Sequence, residues 1–205
     1  MPPCLPKVLR KHAIEAGWVE NQPDARTLLE AAEAPIRASA LGALNRMGAL
    51  TVADLVDALS DDGSAVRLRA LAILPTVWNP DLAAAVDLTV PLGDEDLVVV
   101  EAACFTAGEC QPPSPAVVLR LIEIATSHPA VLCRESAVAA LGSLGDPAGA
   151  PAVIGACDDK ATVRRRAVLA LVAFDGPEVD ATLQRMASDT DWQVRQAAEE
   201  LLAID

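Results

Sequence analysis

Residues 159–171 read DKATVRRRAVLAL: an acidic turn, then Val163-Arg164, then Ala167, Ala170 and Leu171. The framework is an apolar residue, Arg, two variable residues, Ala, two variable residues, then two small or apolar residues. It recurs in Ile36-Arg37 with Ala40, Ala43 and Leu44, and in Val66-Arg67 with Ala70, Ile73 and Leu74. It appears again in Val100-Glu101 with Cys104, Ala107 and Gly108, in Cys133-Arg134 with Ala137, Ala140 and Leu141, and in Val194-Arg195 with Ala198, Leu201 and Leu202. The second positions, 37, 67, 101, 134, 164 and 195, are 30 to 34 residues apart, which is the period of a helical-pair solenoid. The offsets 0, +4, +7 and +8 lie on one helical face, and Ala at +4 lets neighbouring helices approach closely. The reading is all-α: an α-solenoid of about six helical hairpins forming a single domain over residues 1–205. The hairpins are placed at 24–48, 51–77, 80–110, 115–145, 147–174 and 177–205, behind an N-terminal capping helix over 6–17.

Composition agrees. Hydrophobic residues are 52% of the chain, yet it has only two Phe, three Trp and no Tyr, a mixture that favours tightly packed helices over sheets. The net charge of −13 opposes nucleic acid and anionic membrane, which are bound chiefly through uncompensated Lys and Arg. Lys7, Arg10, Lys11 and Glu15 interrupt any apolar core of a secretory signal, and the longest apolar run, Ala167 to Phe174, is far short of a membrane span. A soluble cytoplasmic protein is expected, ending at Asp205 without a tail. The five cysteines form no CxxC pair. Cys104 and Cys133 fall at core offsets and read as small buried apolar residues, while a Cys104–Cys110 disulfide is disfavoured by the expected compartment.

Punctuation marks the hairpins. Thr51, Asn79-Pro80, Ser114-Pro115, His128-Pro129, Asp146-Pro147 and Gly176-Pro177 have the form of helix starts. The stretch Gly108 to Pro115, GECQPPSP, is read as the longest irregular segment and as a stiff Pro-rich link. Trp18, Trp78 and Trp192 are read as packing plugs near helix ends, an exposed one being a candidate hot spot.

SDDGSAVRLRALAIL, CDDKATVRRRAVLAL and SDTDWQVRQAAEELL resemble the HEAT repeat, in the short bacterial form found in phycobilisome-lyase-like proteins. The resemblance covers residues 24–205. It implies a right-handed superhelix with the Arg-bearing helix of each pair lining the concave side. It also implies a ladder of turn acids and arginines: Asp61 or Asp62 with Arg67, Asp158 or Asp159 with Arg164, and Asp189 or Asp191 with Arg195, with Arg37 and Arg134 at the corresponding places. Glu101 and Gly108 depart from the pattern, so a kink or a site is expected near the middle of the chain.

Enzyme chemistry finds little purchase. HEAT-like hydroxylases hold iron through His-Glu pairs, but His12 precedes Ala13 and His128 precedes Pro129. His128 reads as a helix cap. Helical-repeat DNA glycosylases need a basic, aromatic face, and the charge here has the opposite sign. The cluster Arg164-Arg165-Arg166 is read as a solvated, partly paired face. No phosphate loop, nucleophile elbow or metal-ligand spacing appears, so no catalytic residue, cofactor or metal is assigned.

The face opposite the core stripe, at +2, +6 and +9 with +5 on the shoulder, is poor in charge in the middle repeats. Two readings stand. Its apolar residues are inter-repeat core, or Leu68, Leu71, Phe105, Val138, Val168 and Leu169 floor a groove for an amphipathic helix or extended peptide. Arg37, Arg67, Arg134, Arg164 and Arg165 would then rim that groove. The expected function is a non-enzymatic scaffold binding another protein or peptide. The alternatives are an accessory or catalytic subunit of a bilin-lyase-like factor with a small-molecule pocket, and self-association through the ends of the stack.

Overall fold

The computed structural model describes residues 5–18 and 21–203, backbone alone at 5, 6, 17 and 18. Its regular structure is helical throughout, with no strand among the described residues. The chain forms two compact units, Met1–Asp87 and Leu88–Asp205.

In the first unit, α1 (Leu5–Trp18), α3 (Ala34–Arg46) and α5 (Ser64–Val77) form an inner row, and α2 (Gln22–Leu28), α4 (Val52–Leu59) and α6 (Pro80–Ala85) pack on its outside. Thr51 and Asn79 act as the start signals read for them, and Asn21 is a further one. Asn21, Thr51 and Asn79 accept amide protons from the first turns of α2, α4 and α6, and Thr51 forms a reciprocal capping box with Asp54. Helix α1 has the capping role expected of it. Ala13 and Ala16 are buried against α2 and α3, while Lys7, Arg10, Lys11 and Glu15 face solvent.

The second unit repeats the plan. Its inner row is α7 (Leu97–Glu109), α9 (Val131–Leu144), α11 (Ala161–Ala170) and α13 (Trp192–Leu202). Its outer helices are α8 (Pro115–Ser127), α10 (Ala150–Ala156) and α12 (Pro177–Met186). The offsets 0, +4, +7 and +8 are buried in α3, α5, α7, α9 and α11, as are 0 and +4 in α13. Close approach supports this packing. A Cβ added at Gly108 would lie 3.2 Å from Ala140 Cα, and one at Gly142 would lie 2.6 Å from Ala170 Cβ. Gly108 therefore stands in place of Leu because α7 and α9 leave no room there, and α7 runs unbroken to Glu109.

The irregularity lies elsewhere. Between α6 and α7, residues 86–96 hold only a short 3-10 turn, Pro91–Gly93, packed on α7. This segment exceeds the one read at 108–115. Pro91 has no N–H and would clash with the preceding turn, so a helix begun at Pro80 could not continue through it. Val86 and Leu88 are buried outside any helix, and Leu92 within the 3-10 turn.

The ladder is present with its partners shifted by one repeat. Arg37 donates from Nε to Asp61 at 2.8 Å and also bonds the exposed Asp62. Arg134 holds both oxygens of Asp159 at 2.6 and 2.7 Å, and Arg164 both oxygens of Asp189 at 2.8 and 2.7 Å. Within its own repeat each Arg meets carbonyls instead of the carboxylates expected: Arg67 bonds Asp61 O and Asp62 O, Arg164 bonds Asp159 O, and Arg195 bonds Asp189 O and Thr190 O. The planar fork explains the shift. Nη1 points back to the turn that precedes its helix, leaving the Nε/Nη2 edge turned to the next repeat's acid.

Candidate functional site

The two readings of the apolar stripe divide by position. Leu71, Val138 and Val168, at +5, are 0% exposed and are core, not groove floor. A +5 side chain leaves the helix about 140° from the stripe's first residue, on the flank that meets the adjacent inner helix. Phe105 occupies the same offset and is 64% exposed. Helix α7 buries Val99, Ala103 and Thr106 instead, so its buried face is rotated relative to those of its neighbours. Leu68 is half-buried in the first unit.

The rim also changes. Arg37, Arg134 and Arg164 are spent on the ladder, and Arg67 reaches the carbonyls of its own turn. Of the arginines named, Arg165 lies on the solvent face of the second unit, as does Leu169, one turn further along α11.

The second unit exposes apolar side chains on each of its inner helices, among them Phe105 on α7, Leu132 on α9, Leu169 and Val172 at α11, and Trp192 on α13, and also Val90, Leu97, Val98 and Leu119. Phe105, Leu132, Leu169, Val172 and Trp192 point away from the core stripe. Val172 and Trp192 are 71% and 62% exposed, so Trp192 is a surface residue and not a plug. Trp78 is half-buried, its Nε1 enclosed without a hydrogen-bond partner among the described residues. The side chain of Trp18 lies outside the described residues. Leu132 precedes the template, at an offset the sequence reading did not consider, whereas Trp192 meets the condition set for a candidate hot spot by being exposed.

At Leu169 the helices α9, α11 and α13 enclose a shallow pocket of about 230 Å³ lined by Glu135, Thr162, Arg165, Arg166, Leu169 and Gln193, among others. Arg166 stands 3.7 Å from Glu135. Asp191 also reaches the pocket, and its Oδ1 accepts from the Gln193 and Val194 amides at 2.9 and 3.3 Å as the N-cap of α13.

The four described thiols lie in the core. Cys104, Cys110, Cys133 and Cys157 are buried and unpaired, which excludes the Cys104–Cys110 disulfide. Burial, reinforced by Cys133, pushes the Cys104 thiol up to about 12, and burial pushes Cys157 to about 11. Among the described residues no cluster of three His, Cys, Asp or Glu is placed to hold a metal. His128 does not start a helix as read: α9 begins at Val131 behind Ala130, His128 ends α8, and its Nδ1 accepts from the Ala130 amide at 3.2 Å within the turn. No described helix is long and apolar enough to cross a membrane.

The family model for HEAT repeats matches residues 118–203. That match covers less than half of the chain. The match takes in α9, α11 and α13, with the Arg134 and Arg164 rungs and the pocket. No curated protein matches the sequence. Among solved structures, the chain is similar to YibA of Escherichia coli, with TM-score 0.64 and 19% identity over 97% of this chain and 74% of that one. It is similar to the CpcE–CpcF complex of phycocyanin lyase from Nostoc sp. PCC7120, with TM-score 0.59 and 21% identity over 86% and 74%. A designed armadillo repeat protein matches with TM-score 0.58 and 16% identity over 89% and 98%. At these identities the likeness is one of fold, that of helical-repeat solenoids.

Proposed function

We propose that the chain is a non-enzymatic scaffold that binds another protein or a peptide on the inner-row face of its second unit. The observation that carries this reading is the set Phe105, Leu132, Leu169, Val172 and Trp192, exposed on four successive inner helices although the fold does not need these side chains at its surface. Single exposed apolar residues are ordinary, but a contiguous set bordered by polar groups marks interaction sites. HEAT and armadillo repeats as a class present such faces to partners.

The test is recovery of partners from the native cell with wild-type chain and with Phe105→Glu combined with Val172→Glu. The double variant should lose the partner and keep its melting temperature within a few degrees, since both side chains already face water. Val168→Asp serves as the control that unfolds. A partner retained by the double variant places the binding surface elsewhere and sinks the reading.

A bilin-lyase-like role is the second reading, favoured by the likeness to the CpcE–CpcF complex. It needs an enclosed tetrapyrrole site, and the pocket of about 230 Å³ falls below the roughly 300–1,000 Å³ of typical small-molecule sites. A change in visible absorption on adding a tetrapyrrole would favour it.

A further inference from the structure

We infer that the pocket between α9, α11 and α13 seats a carboxylate of the partner, next to an apolar side chain of the same segment resting on Leu169. This rests on the scaffold reading and names the chemistry of what the scaffold holds.

The inference follows from which charges in the pocket are already engaged. Asp191 is occupied in capping α13. Glu135 faces Arg166 at 3.7 Å, so those two charges offset one another. Arg165 remains. Its guanidinium has no ion pair or hydrogen bond among the described residues, whereas Arg37, Arg134 and Arg164 each grip an aspartate. The formal charges of the lining cancel, Arg165 and Arg166 against Glu135 and Asp191, but Arg165 is the cation whose donors are left open, in a chain whose net charge is −13. A guanidinium offers a planar pair of donors matched to a carboxylate. Thr162 and Gln193, in the same wall, supply further polar contacts, and Leu169 lies one turn from Arg165.

Two features narrow the ligand. Glu135 and Asp191 in the wall disfavour a dianionic phosphate more than a monoanionic carboxylate, because each added negative charge meets both acids. The remaining acids of the chain repel at long range but are screened beyond about 10 Å at 0.1 M salt. A short motif of one acid flanked by apolar residues fits this balance, and a polyacidic tail does not.

The experiment follows the Nε–Hε resonance of Arg165 in the nitrogen-15-labelled full chain during titration. The probes are a short synthetic peptide with Leu and Glu one helical turn apart, the same peptide with Gln or Lys for Glu, and inorganic phosphate. The Glu peptide should shift the resonance saturably, the Gln peptide should bind about tenfold more weakly, and the Lys peptide and phosphate should not saturate. In Arg165→Gln, whose melting temperature should be unchanged, the Glu peptide should lose its advantage over the Gln peptide. Equal binding of the Glu and Gln peptides overturns the carboxylate assignment while leaving a docking face. Phosphate binding as tight as the Glu peptide, or no saturation by any peptide, also overturns it. The scaffold reading fails separately, if the variant carrying Phe105→Glu and Val172→Glu still captures its partner.

Discussion

Arg164 ties two repeats together through one side chain. Its Nε and Nη2 hold both carboxylate oxygens of Asp189, 25 positions along the chain, and its Nη1 holds Asp159 O at 2.8 Å. Asp189 in turn accepts from the Asp191 amide at 2.7 Å, so the rung also fixes the turn from which α13 starts. Arg134 makes the same set of bonds to Asp159, His128 O and Pro129 O. A solenoid has only nearest-neighbour interfaces, and a repeated rung of this kind sets the register of each.

Removing one partner of this rung should cost far more than removing an exposed pair. The Asp189 side chain is 7% exposed and that of Arg164 18%, so Asp189→Ala strands a guanidinium and a turn amide that water reaches poorly. A loss of about 2–4 kcal/mol is expected in urea denaturation. Asp158→Ala removes the exposed partner of Arg185 and should cost under about 0.5 kcal/mol. Similar losses from the two variants would show that the ladder contributes no more than a surface pair.

The same rungs set the acid sensitivity. The Arg134 hydrogen bond holds the Asp159 carboxyl below its ordinary value of 3.8, and Arg164 does the same for Asp189. A carboxyl depressed in the folded state contributes stability that is present above its unfolded value and is lost as pH falls through the folded one. The melting temperature should therefore drop as pH falls below about 4, with the arginines charged throughout. Arg164→Met should be less stable at neutral pH and show a shallower acid dependence. Parallel pH profiles for the two proteins would remove Asp189 from the linkage.

The fold was legible because it depends on a one-dimensional pattern. Offsets 0, +4, +7 and +8 name the core stripe whatever the neighbouring repeats do, and all four are buried in five helices. The site was less legible because exposure on the far face depends on pairwise helix packing. Offset +5 is core at Val168 and surface at Phe105, and no local feature of either helix distinguishes them. Leu169 and Arg165 face solvent at +6 and +2 of α11, but Thr106 at +6 of α7 and Ala38 at +2 of α3 are buried, so these offsets too depend on the neighbouring helices. The ladder residues were readable from their recurrence. Their pairing was not, since sequence proximity favours the turn next to each Arg while the guanidinium's free edge faces the following one.

Close packing of α9 on α11 predicts opposite effects at two helical glycines. A Cβ at Gly142 would lie 2.6 Å from Ala170 Cβ and 2.9 Å from its Cα, so Gly142→Ala must push backbone apart and should cost about 1–3 kcal/mol. A Cβ at Gly155 on α10 meets nothing within 4 Å. Gly155→Ala should gain up to about 1 kcal/mol from helix propensity and reduced unfolded-state entropy. Thermal melts of the two variants check both signs, and a neutral Gly142→Ala would mean that the two inner helices have slack between them.

Glu101 and His128 stand where other rungs have Arg and Asp. The His128 Nδ1 accepts from Ala130 N as Asp61 accepts from Gly63 N and Asp189 from Asp191 N, and Arg134 grips His128 O at 2.8 Å. The turn is thus built as in the other repeats, with imidazole in the seat of the carboxylate and a carboxylate on α7 in the seat of the guanidinium. No hydrogen bond joins Glu101 to His128 among the described residues, and glutamate is too short to reproduce the bidentate fork. Glu101→Arg together with His128→Asp should close the rung and raise the melting temperature, while each single change leaves like charges or unmatched groups and should not. A double-mutant cycle should give a favourable coupling of about 1–3 kcal/mol. Additive single effects would instead show that the wider spacing here, 101 to 128 against 134 to 159, holds the two seats beyond reach.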